Sequence, residues 1–509
     1  MCSEVALGRT WAVTLQGVGG QMVEVEADVG RGLPGVSIVG MGDGAVMQSR
    51  ERMRAAVVNS GLTWPPGKVV LSLSPAAVPK RGSGFDLPLA IGTLTASGEL
   101  PAAGFEGTLL MGELALDGRV RPVRGVLPAV LAARDAGLTR AIVPAANLAE
   151  ARLVGGIDTA GAESLRMIAA WARQSGSLVA EAPRAVGGRA DDGTDLAEVR
   201  GQEDCRRAVE VAAAGGHAMI LRGAPGTGKT MLARRLPGLL PDLGEQEALE
   251  ATAIHSVMGR LLGPDPLLRR PPFVAPHHSA SAASLVGGGN NVPRPGAATL
   301  AHRGVLFLDE CAEFSGRVLD SLRTLLEDGE VRIARRDELS VFPTRFQLVM
   351  AANDCPCGSA RPVECSCTPD ARRRYGRALT GPLRDRIDIS ARTLPLGSGL
   401  FAADEVEDSA TVRARVAAAR AAAAARWVAY PDAAGARANA DVPGRVLRSA
   451  TGLSRDALRQ LNRALTHGVL SPRGVDRCLR IAWTIADLAG AEVPGEHHVA
   501  EAMVLRGED

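Results

Sequence analysis

A run of consecutive residues near the middle of the chain has the residue types and the spacing of a phosphate-binding loop. These residues are Gly223, Ala224, Pro225, Gly226, Thr227, Gly228, Lys229 and Thr230. The glycines let the backbone curl so that successive N–H groups point at phosphate oxygens. The Lys229 ammonium can reach the β- and γ-phosphates, and the Thr230 hydroxyl can bind Mg²⁺. We therefore expect this stretch to bind ATP together with Mg²⁺.

The residues on either side supply the structure that such a loop needs. Residues 218–221 form a short apolar run that is typical of a buried strand. Residues 230–236 can form a helix whose N-terminus meets the phosphates. A strand, a glycine-rich loop and a helix in this order resemble the P-loop nucleotidases.

A pair of carboxylates further along the chain has the complementary chemistry. Asp309 and Glu310 directly follow the apolar run Val305–Leu308, which predicts a buried strand. Ligands of α/β sheets bind at the carboxyl ends of the strands. We expect Asp309 to hold Mg²⁺ with Thr230, and Glu310 to polarise the water that attacks the γ-phosphate. The predicted reaction is ATP hydrolysis.

The composition sets limits on the other functions. The chain has 509 residues, enough for roughly three domains. Its net charge of +2 is too small to indicate nucleic-acid binding by itself. No apolar run is long enough to span a membrane, and the N-terminus lacks a signal pattern. We expect a cytoplasmic protein with no membrane partner.

The segments around these motifs resemble AAA+ ATPases, the ring-forming ATP motors. Residues 199–202, Val-Arg-Gly-Gln, are similar to the adenine-side segment of those proteins. The resemblance implies that Asn353, at the end of the apolar run 346–352, senses the γ-phosphate. It also implies that Arg473, in the opening Ser-Pro-Arg-Gly of the last long helix, is a second sensor presented by a helical lid.

The segment 381–388 resembles the one that supplies the arginine finger of AAA+ rings. Such an arginine stabilises charge on the γ-phosphate bound by the neighbouring subunit. We assign this role to Arg386, with Arg384 as the alternative within the same segment. A salt bridge at a helix terminus is the other role that this arginine could have.

Four cysteines form the pattern C-x-C-x₇-C-x-C, and they are Cys355, Cys357, Cys365 and Cys367. Four thiolates this close in sequence can bind Zn²⁺ tetrahedrally without redox chemistry. The spacing C-x-C is tighter than the usual C-x₂-C, so reduced cysteines in a turn and a redox switch stay open as alternatives. We predict a structural zinc site between Asn353 and Arg386.

The first part of the chain resembles the proteolytic domain of the Lon proteases. The resemblance lies in residues 118–133 and continues through residues 136–147. The position of the nucleophilic serine falls on Gly84, with Ser83 one place away, and the position of the lysine base falls on Ala129. A serine without an adjacent base is a poor nucleophile. We expect an interaction or assembly domain without protease activity.

Residues 273–281, 285–289, 294–296 and 300–304 are similar to the magnesium-chelatase-like branch of AAA+ proteins. The chain is identified as a member of the ComM/YifB family of that branch, with a match from Leu7 to Met503. This membership implies a homo-oligomeric ring, a hexamer, that moves on branched or single-stranded DNA in recombination and natural transformation. The DNA partner follows from the family alone. A chelatase motor subunit and a protein remodeller are the alternatives.

The predicted fold class is α/β. A Lon-protease-like α+β domain without the catalytic dyad occupies residues 1–175, and residues 176–194 form a linker. A P-loop AAA+ core with a parallel sheet and the four-cysteine insert occupies residues 195–397. A helical lid occupies residues 398–509. His277 and His278 could be metal ligands, but no matching third ligand is apparent, so pore-loop or packing roles are favoured. The basic segment 330–336 is either a solvated hairpin or a phosphate contact.

Overall fold

The computed structural model describes residues 7–181, 194–261, 265–289, 293–335, 338–359, 365–380, 383, 386–395, 406–449 and 453–507. The chain divides into two compact units. Unit 1 consists of Met1–Ala190 with Ala248–Leu268, and unit 2 of Asp191–Glu247 with Arg269–Asp509. In the described residues, no helix is both long and apolar enough to cross a lipid bilayer.

Unit 1 is built on a mixed seven-stranded sheet. Its strands are β1 (Gly8–Gln16), β2 (Gly19–Gly30), β3 (Gly35–Val39), β4 (Lys68–Ser74), β5 (Thr108–Leu110), β8 (Arg140–Pro144) and β9 (Asp158–Ala162), with the small hairpin β6 (Glu113–Leu114) and β7 (Val120–Arg121) beside it. The strand order in the sheet is β3-β4-β2-β1-β5-β8-β9. The β1–β2 and β2–β4 pairs are antiparallel, whereas β1, β5, β8 and β9 pair in parallel. The helices are α1 (Gly44–Asn59), α2 (Asp86–Ala96), α3 (Val126–Asp135), α4 (Leu148–Ala151) and α5 (Leu165–Ala172).

The helix α8 (Glu245–Val257) begins in unit 2 and continues into unit 1. Its residue Ala253 is buried in an apolar cluster that also contains Val126 and Leu148 of unit 1. Its Ser256 hydroxyl donates to the Glu150 carboxylate. The predicted core 195–397 therefore includes a segment that packs in unit 1, while the predicted boundaries near residues 175, 195 and 397 stay predictions.

Unit 2 contains a fully parallel five-stranded sheet. Its strands are β10 (Met219–Arg222), β11 (Phe273–Val274), β14 (Val305–Leu308), β17 (Gln347–Ala352) and β18 (Ile389–Arg392). The strand order is β11-β14-β17-β10-β18. Every residue of β14 and β17 is buried, as expected for parallel strands covered on both faces. The predicted fold class, α/β with a parallel-sheet core, is confirmed.

The elements around this sheet are short helices and two hairpins. The helices are α6 (Glu203–Gly215), α7 (Lys229–Leu239), α9 (Ala282–Val286), α10 (Ala297–Leu300), α11 (Gly316–Asp328) and α12 (Pro369–Thr380). One hairpin joins β12 (Gly287–Gly288) to β13 (Arg294–Pro295), and the other joins β15 (Glu330–Arg335) to β16 (Glu338–Pro343).

The last part of unit 2 is helical in the residues described. It contains α13 (Ser409–Trp427), α14 (Gly444–Ser449), α15 (Arg455–Thr466), α16 (Pro472–Leu488) and α17 (Glu496–Arg506). Trp427 of α13 and Trp483 of α16 meet edge to face at 5.5 Å between ring centroids. Side chains of Asp408, Ser454 and Ser471 cap the N-termini of α13, α15 and α16. The N-terminus of α16 is therefore fixed by a cap, and a later turn of the helix by a buried aromatic pair.

Candidate nucleotide site

The P-loop (residues 223–230) connects the end of β10 to the start of α7 in unit 2. Gly223, Gly226 and Gly228 have φ angles of 153°, 76° and 91°, which side-chain-bearing residues rarely adopt. A Cβ atom at Gly223 would lie 2.2 Å from the Thr393 hydroxyl oxygen. The curled backbone predicted from the glycines is present, and neighbouring atoms exclude any larger residue at Gly223.

The Lys229 side chain lies inside the P-loop. Its Nζ donates to the carbonyl oxygens of Gly223 and Ala224, at 2.8 and 2.7 Å, and to Asn353 Oδ1 at 3.0 Å. Burial lowers the pKa of Lys229, and the carboxylate of Asp309 opposes this shift. The structure thus brings two predicted site residues, Lys229 and Asn353, into direct contact.

The predicted magnesium ligands also lie together. Thr230 Oγ1 donates to Asp309 Oδ2 at 2.8 Å, across the gap between α7 and the end of β14. The Glu310 N–H donates to Asp309 Oδ1 at 3.0 Å. A hydroxyl and a carboxylate at this distance fit the oxygen ligands that Mg²⁺ takes beside nucleotide phosphates.

Glu310 has a partner that the sequence did not indicate. Its carboxylate oxygen Oε2 lies 3.0 Å from Nδ1 of His278, which follows β11 at the neighbouring edge position of the sheet. The Glu310 side chain remains 53% exposed, so solvent reaches it. The sequence favours a pore-loop or packing role for His278, but the structure places it against the carboxylate expected to activate water.

Polar contacts link the P-loop to the ends of two further strands. The Thr227 hydroxyl lies 2.6 Å from the Thr393 hydroxyl, which follows β18. Gln202 donates to the carbonyls of Thr227 and Leu394, at 3.4 and 2.6 Å. Arg392 forms an ion pair at 3.0 Å with Asp354, the residue that follows Asn353 in the chain. Gln202 belongs to the AAA+-like segment 199–202, whereas the other residues carry no sequence signal of their own, because their roles depend on which strand ends are adjacent.

The two predicted arginines, Arg386 and Arg473, lie near each other, and no hydrogen bond or ion pair among the described residues joins either of them to the P-loop. Burial lowers the pKa of Arg386, and the charges of Arg323 and Arg473 lower it further. Arg386 pairs with Glu327 of α11, while its Nε is buried and has no hydrogen-bond partner among the described residues. Arg473 is exposed near the start of α16. The alternative finger, Arg384, lies outside the described residues.

A buried polar network begins two residues after Arg386. Although burial raises the pKa of Asp388, the hydrogen bond from His217 and the charges of His217, Arg477 and Arg480 keep it below its usual value. The guanidinium of Arg477 on α16 donates to the Ile387 carbonyl at 3.1 Å. The network therefore ties the segment carrying Arg386 to the helix carrying Arg473.

The four-cysteine cluster (Cys355, Cys357, Cys365 and Cys367) has its sulfur atoms within 4.8 Å of one another. Cys357 Sγ lies 3.6 Å from Cys355 Sγ and 3.7 Å from Cys365 Sγ, and Cys355 Sγ lies 3.0 Å from Cys365 Sγ. Tetrahedral Zn–S bonds of about 2.3 Å require sulfur–sulfur separations of roughly 3.8 Å. Two of these separations lie close to that value and the 3.0 Å separation is shorter, so the four predicted ligands are gathered in one place without the full tetrahedral spacing.

Comparisons with known proteins cover most of the chain. Residues 195–398 match the family described as magnesium chelatase, subunit ChlI. Residues 25–147 match the family described as subunit ChlI of Mg-chelatase, and residues 406–506 match the one described as magnesium chelatase, subunit ChlI C-terminal. Competence protein ComM of Haemophilus influenzae is 37% identical over 99% of this chain and 98% of its own. YifB of Escherichia coli, an uncharacterized protein, is 39% identical over 97% and 96%. The chain belongs to the magnesium-chelatase-like family that includes ComM and YifB.

The family extends over the whole chain and beyond these two relatives. An uncharacterized protein of Mycobacterium tuberculosis is 53% identical over 99% of both chains. The predicted membership of the ComM/YifB family is thereby confirmed. The residue roles assigned by resemblance, from Lys229 to Arg473, stay predictions.

In this member of the ComM/YifB family, the residue next to the Lon-like serine position has a carboxylate partner. The Ser83 hydroxyl donates to the Glu113 carboxylate. Ala129, at the position of the lysine base, is buried on α3. The nearby Lys80 is buried, and its Nζ donates to the Pro75 carbonyl instead. That unit 1 lacks a serine–lysine dyad and protease activity stays a prediction.

Proposed function

We propose that this protein is an ATP-hydrolysing ring motor that moves on branched or single-stranded DNA. The observation that carries the ATPase part is the convergence of Lys229, Thr230, Asp309, Glu310 and Asn353 at the carboxyl edge of one parallel sheet. These residues come from three separate parts of the chain. Their meeting supports a single nucleotide site rather than unrelated motifs.

Each of these residues has a defined task in the proposed reaction. The P-loop N–H groups and Lys229 bind the β- and γ-phosphates, which replace the carbonyl oxygens that Lys229 now contacts. Thr230 and Asp309 hold Mg²⁺, which neutralises charge on the phosphates. Glu310 orients and polarises the attacking water, and Asn353 contacts the γ-phosphate. Arg386 and Arg473 stabilise the charge that develops on the γ-phosphate.

The proposed assembly is a homo-oligomeric ring, a hexamer, with Arg386 acting on the neighbouring subunit's nucleotide. Within one chain, Arg386 lies beside Arg473 and Glu327, and no described hydrogen bond joins it to the P-loop. Its buried Nε lacks a partner among the described residues. An arginine with unused donors away from its own P-loop supports a role across a subunit interface.

The DNA part of the proposal rests on kinship. The relative from Haemophilus influenzae is named a competence protein, which supports a role in natural transformation and recombination. The exposed face of the β15–β16 hairpin carries Arg332, whose guanidinium pairs with Glu330. An arginine on a surface hairpin can contact DNA phosphates, and such contacts weaken with added salt.

The decisive experiment is an electrophoretic branch-migration assay on a synthetic four-way junction. The wild-type protein should separate the junction only with MgATP, and Glu310→Gln should bind ATP but neither hydrolyse it nor move the junction. Glu313→Gln changes a neighbouring glutamate in the same turn and should behave as wild type. ATP hydrolysis without junction movement would overturn the DNA part alone.

A chelatase motor is the second candidate, since the matching family is described by a magnesium-chelatase subunit. The same ATPase assay separates the candidates when forked DNA, porphyrin or an unfolded protein is added in turn. Stimulation by DNA supports the proposal, and stimulation by porphyrin alone supports the chelatase. Stimulation by unfolded protein alone would indicate a remodeller.

We further propose that the four-cysteine cluster holds a structural Zn²⁺. The four sulfur atoms lie within 4.8 Å of one another, and cysteine sulfur is a ligand of structural zinc sites. Elemental analysis of natively purified protein should find close to one zinc per chain. Less than about half a zinc per chain would contradict the assignment.

We also propose a cytoplasmic location, where thiols stay reduced.

A further inference from the structure

The residue that follows the first two cysteines of the cluster touches the P-loop. Gly358, which follows Cys357, has a φ angle of 71° and packs against the ring of Pro225. A Cβ atom at Gly358 would lie 2.6 Å from Pro225 Cγ and 3.3 Å from its Cδ. Real Cβ atoms essentially never approach another atom as closely as 2.6 Å. The Pro225 ring therefore lies directly against the Gly358 backbone, and this contact requires glycine at position 358.

The residues just before the cluster are also attached to the nucleotide site. Asn353 accepts the hydrogen bond from Lys229, and Asp354 pairs with Arg392. Arg392 directly precedes Thr393, whose hydroxyl lies against Thr227 of the P-loop. The six residues from Asn353 to Gly358 thus contact the P-loop region at both of their ends and contain two of the four cysteines.

The other two cysteines connect this segment to α12. Cys365 and Cys367 lie just before α12, which begins at Pro369. On α12, the Tyr375 hydroxyl lies close to the Asn353 backbone, which opposes the rise in pKa that burial causes at Tyr375. A metal bound by all four thiolates would therefore cross-link the segment 353–358 to the start of α12. Without the metal, that cross-link is lost and the segment gains conformational freedom.

We propose that the metal in the four-cysteine cluster supports the P-loop, so that metal occupancy sets the affinity for nucleotide. The inference rests on the proposed ATPase function, since it concerns the same site. The metal acts through position: it holds Gly358 against Pro225 and Asn353 against Lys229. It takes no part in the reaction itself.

The first test measures nucleotide affinity against zinc content. The full-length protein is prepared as purified, after a thiol-competitive zinc chelator, and after zinc is restored. Binding of fluorescent MgATPγS is then titrated, with circular dichroism as a check of folding. The chelated protein should remain folded and bind roughly tenfold more weakly, and zinc should restore the affinity. Unchanged affinity after complete zinc removal would overturn the inference.

The second test disturbs the contact and leaves the metal ligands intact. Gly358→Ala should retain zinc but bind MgATPγS roughly tenfold more weakly, because the added methyl group must displace the Pro225 ring. Gly468→Ala is the matched control. Gly468 has a φ angle of 72°, and a methyl group added there would meet no atom within 4 Å, so the control reproduces the backbone strain without the collision.

The outcomes distinguish this inference from the proposed function. If zinc-loaded wild-type protein bound no MgATPγS, the proposed ATPase function would fail. If it bound the nucleotide and Gly358→Ala bound it equally well while retaining zinc, the coupling of the cluster to the P-loop would fail. If Gly358→Ala lost zinc, the chelation series alone would decide between coupling and independence.

Discussion

Glu310 has a φ angle of 50°, in the left-handed region that costs a side-chain-bearing residue about 1–2 kcal/mol. Its N–H bonds to Asp309 and its carboxylate contacts His278, so neighbouring groups hold this conformation. Strained residues kept in place by several contacts cluster at functional sites. The strain here turns the two consecutive carboxylates in different directions, Asp309 towards Thr230 and Glu310 towards His278.

The first prediction concerns His278 as a positioning residue. In His278→Ala, the Glu310 carboxylate loses a partner at 3.0 Å and can rotate away from the attacking water. A general base contributes roughly 10²–10⁴-fold to the rate, and we expect partial misalignment to lower kcat roughly tenfold. The affinity for MgATPγS should not change, because His278 contacts no P-loop residue among those described.

The control for this variant is His277→Ala. The His277 ring contacts the Ser279 hydroxyl at 2.8 Å and packs at a tilt against the His278 ring, whereas the contact with Glu310 is made by His278. Steady-state ATPase rates and nucleotide titrations should separate the two histidines. If both variants kept the wild-type kcat, His278 would not position Glu310.

At the scale of the elements, α16 is fixed to the parallel sheet by buried polar contacts. His217, just before β10, bonds to Asp388 at 3.3 Å and to Thr484 of α16 at 2.9 Å. Burial lowers the pKa of Arg477 on the same helix to about 10, with Asp388 opposing the shift. Buried polar groups are costly unless they are paired, so these contacts favour one register of α16 on the sheet.

The second prediction concerns the N-terminus of α17. His498 Nδ1 accepts the Gly495 N–H at 2.9 Å, which requires an unprotonated nitrogen. Burial, aided by the charge of His497, lowers the pKa of His498 below its ordinary 6.5. As the pH falls, His498 therefore becomes protonated in the unfolded helix at a higher pH than in the folded helix. The cap is fully stabilising above the unfolded pKa and is lost as the pH falls through the folded pKa, at up to roughly 1.4 kcal/mol per pH unit.

Amide hydrogen exchange of α17 measures this effect. The opening free energy of its amides should decrease as the pH falls from about 7.5 to about 5.5, after correction for the intrinsic exchange rate. His498→Gln keeps an acceptor that does not titrate, so it should remove the dependence. His497→Gln, at an exposed neighbouring ring, should keep it. A pH dependence that persisted in His498→Gln would exclude this histidine as its origin.

At the scale of the whole molecule, the proposed nucleotide site is complete only between two subunits. One chain supplies the P-loop, Asp309 and Glu310, and its neighbour supplies Arg386. Arg386 lies beside Glu327 and Arg473, and no described hydrogen bond joins it to the P-loop of its own chain, which supports this proposal. In this proposal the ring is required for hydrolysis as well as for movement.

The third prediction follows from this shared site. Glu310→Gln and Arg386→Ala should each be nearly inactive alone, with Arg386→Ala lower than wild type by roughly 10³-fold or more. Arg386→Ala retains Glu310, and Glu310→Gln retains Arg386. In an equimolar mixture, an interface is therefore intact when Arg386→Ala supplies the P-loop side and Glu310→Gln supplies the arginine. Random ring assembly makes about one interface in four intact, so about a quarter of the wild-type ATPase rate should return.

The mixture needs two checks. Light scattering should show that each variant assembles as the wild type does. A mixture of Glu310→Gln with Lys229→Ala, which damages the same side of the interface twice, should stay inactive. If the first mixture also stayed inactive while its rings exchanged subunits, Arg386 would act within its own chain or not at all.

The local chemistry of the nucleotide site could be predicted from the sequence by itself. The glycine spacing, Lys229 and Thr230 specify a curled loop with an ammonium and a hydroxyl, because these properties depend on neighbouring residues only. The apolar run before Asp309 and Glu310 likewise predicts a buried strand ending in carboxylates. The order of such elements also predicts a parallel-sheet core, and the described strands have it.

The partners of these residues were decided by the tertiary structure alone. The contacts of His278 with Glu310, of Thr393 with Thr227 and of Gly358 with Pro225 join residues that are far apart in the chain. They exist because the order of the strands brings particular strand ends and loops together, and local sequence patterns do not encode that order. Local sequence patterns also do not predict that α8 continues into unit 1, since its packing partners lie about a hundred residues or more earlier in the chain.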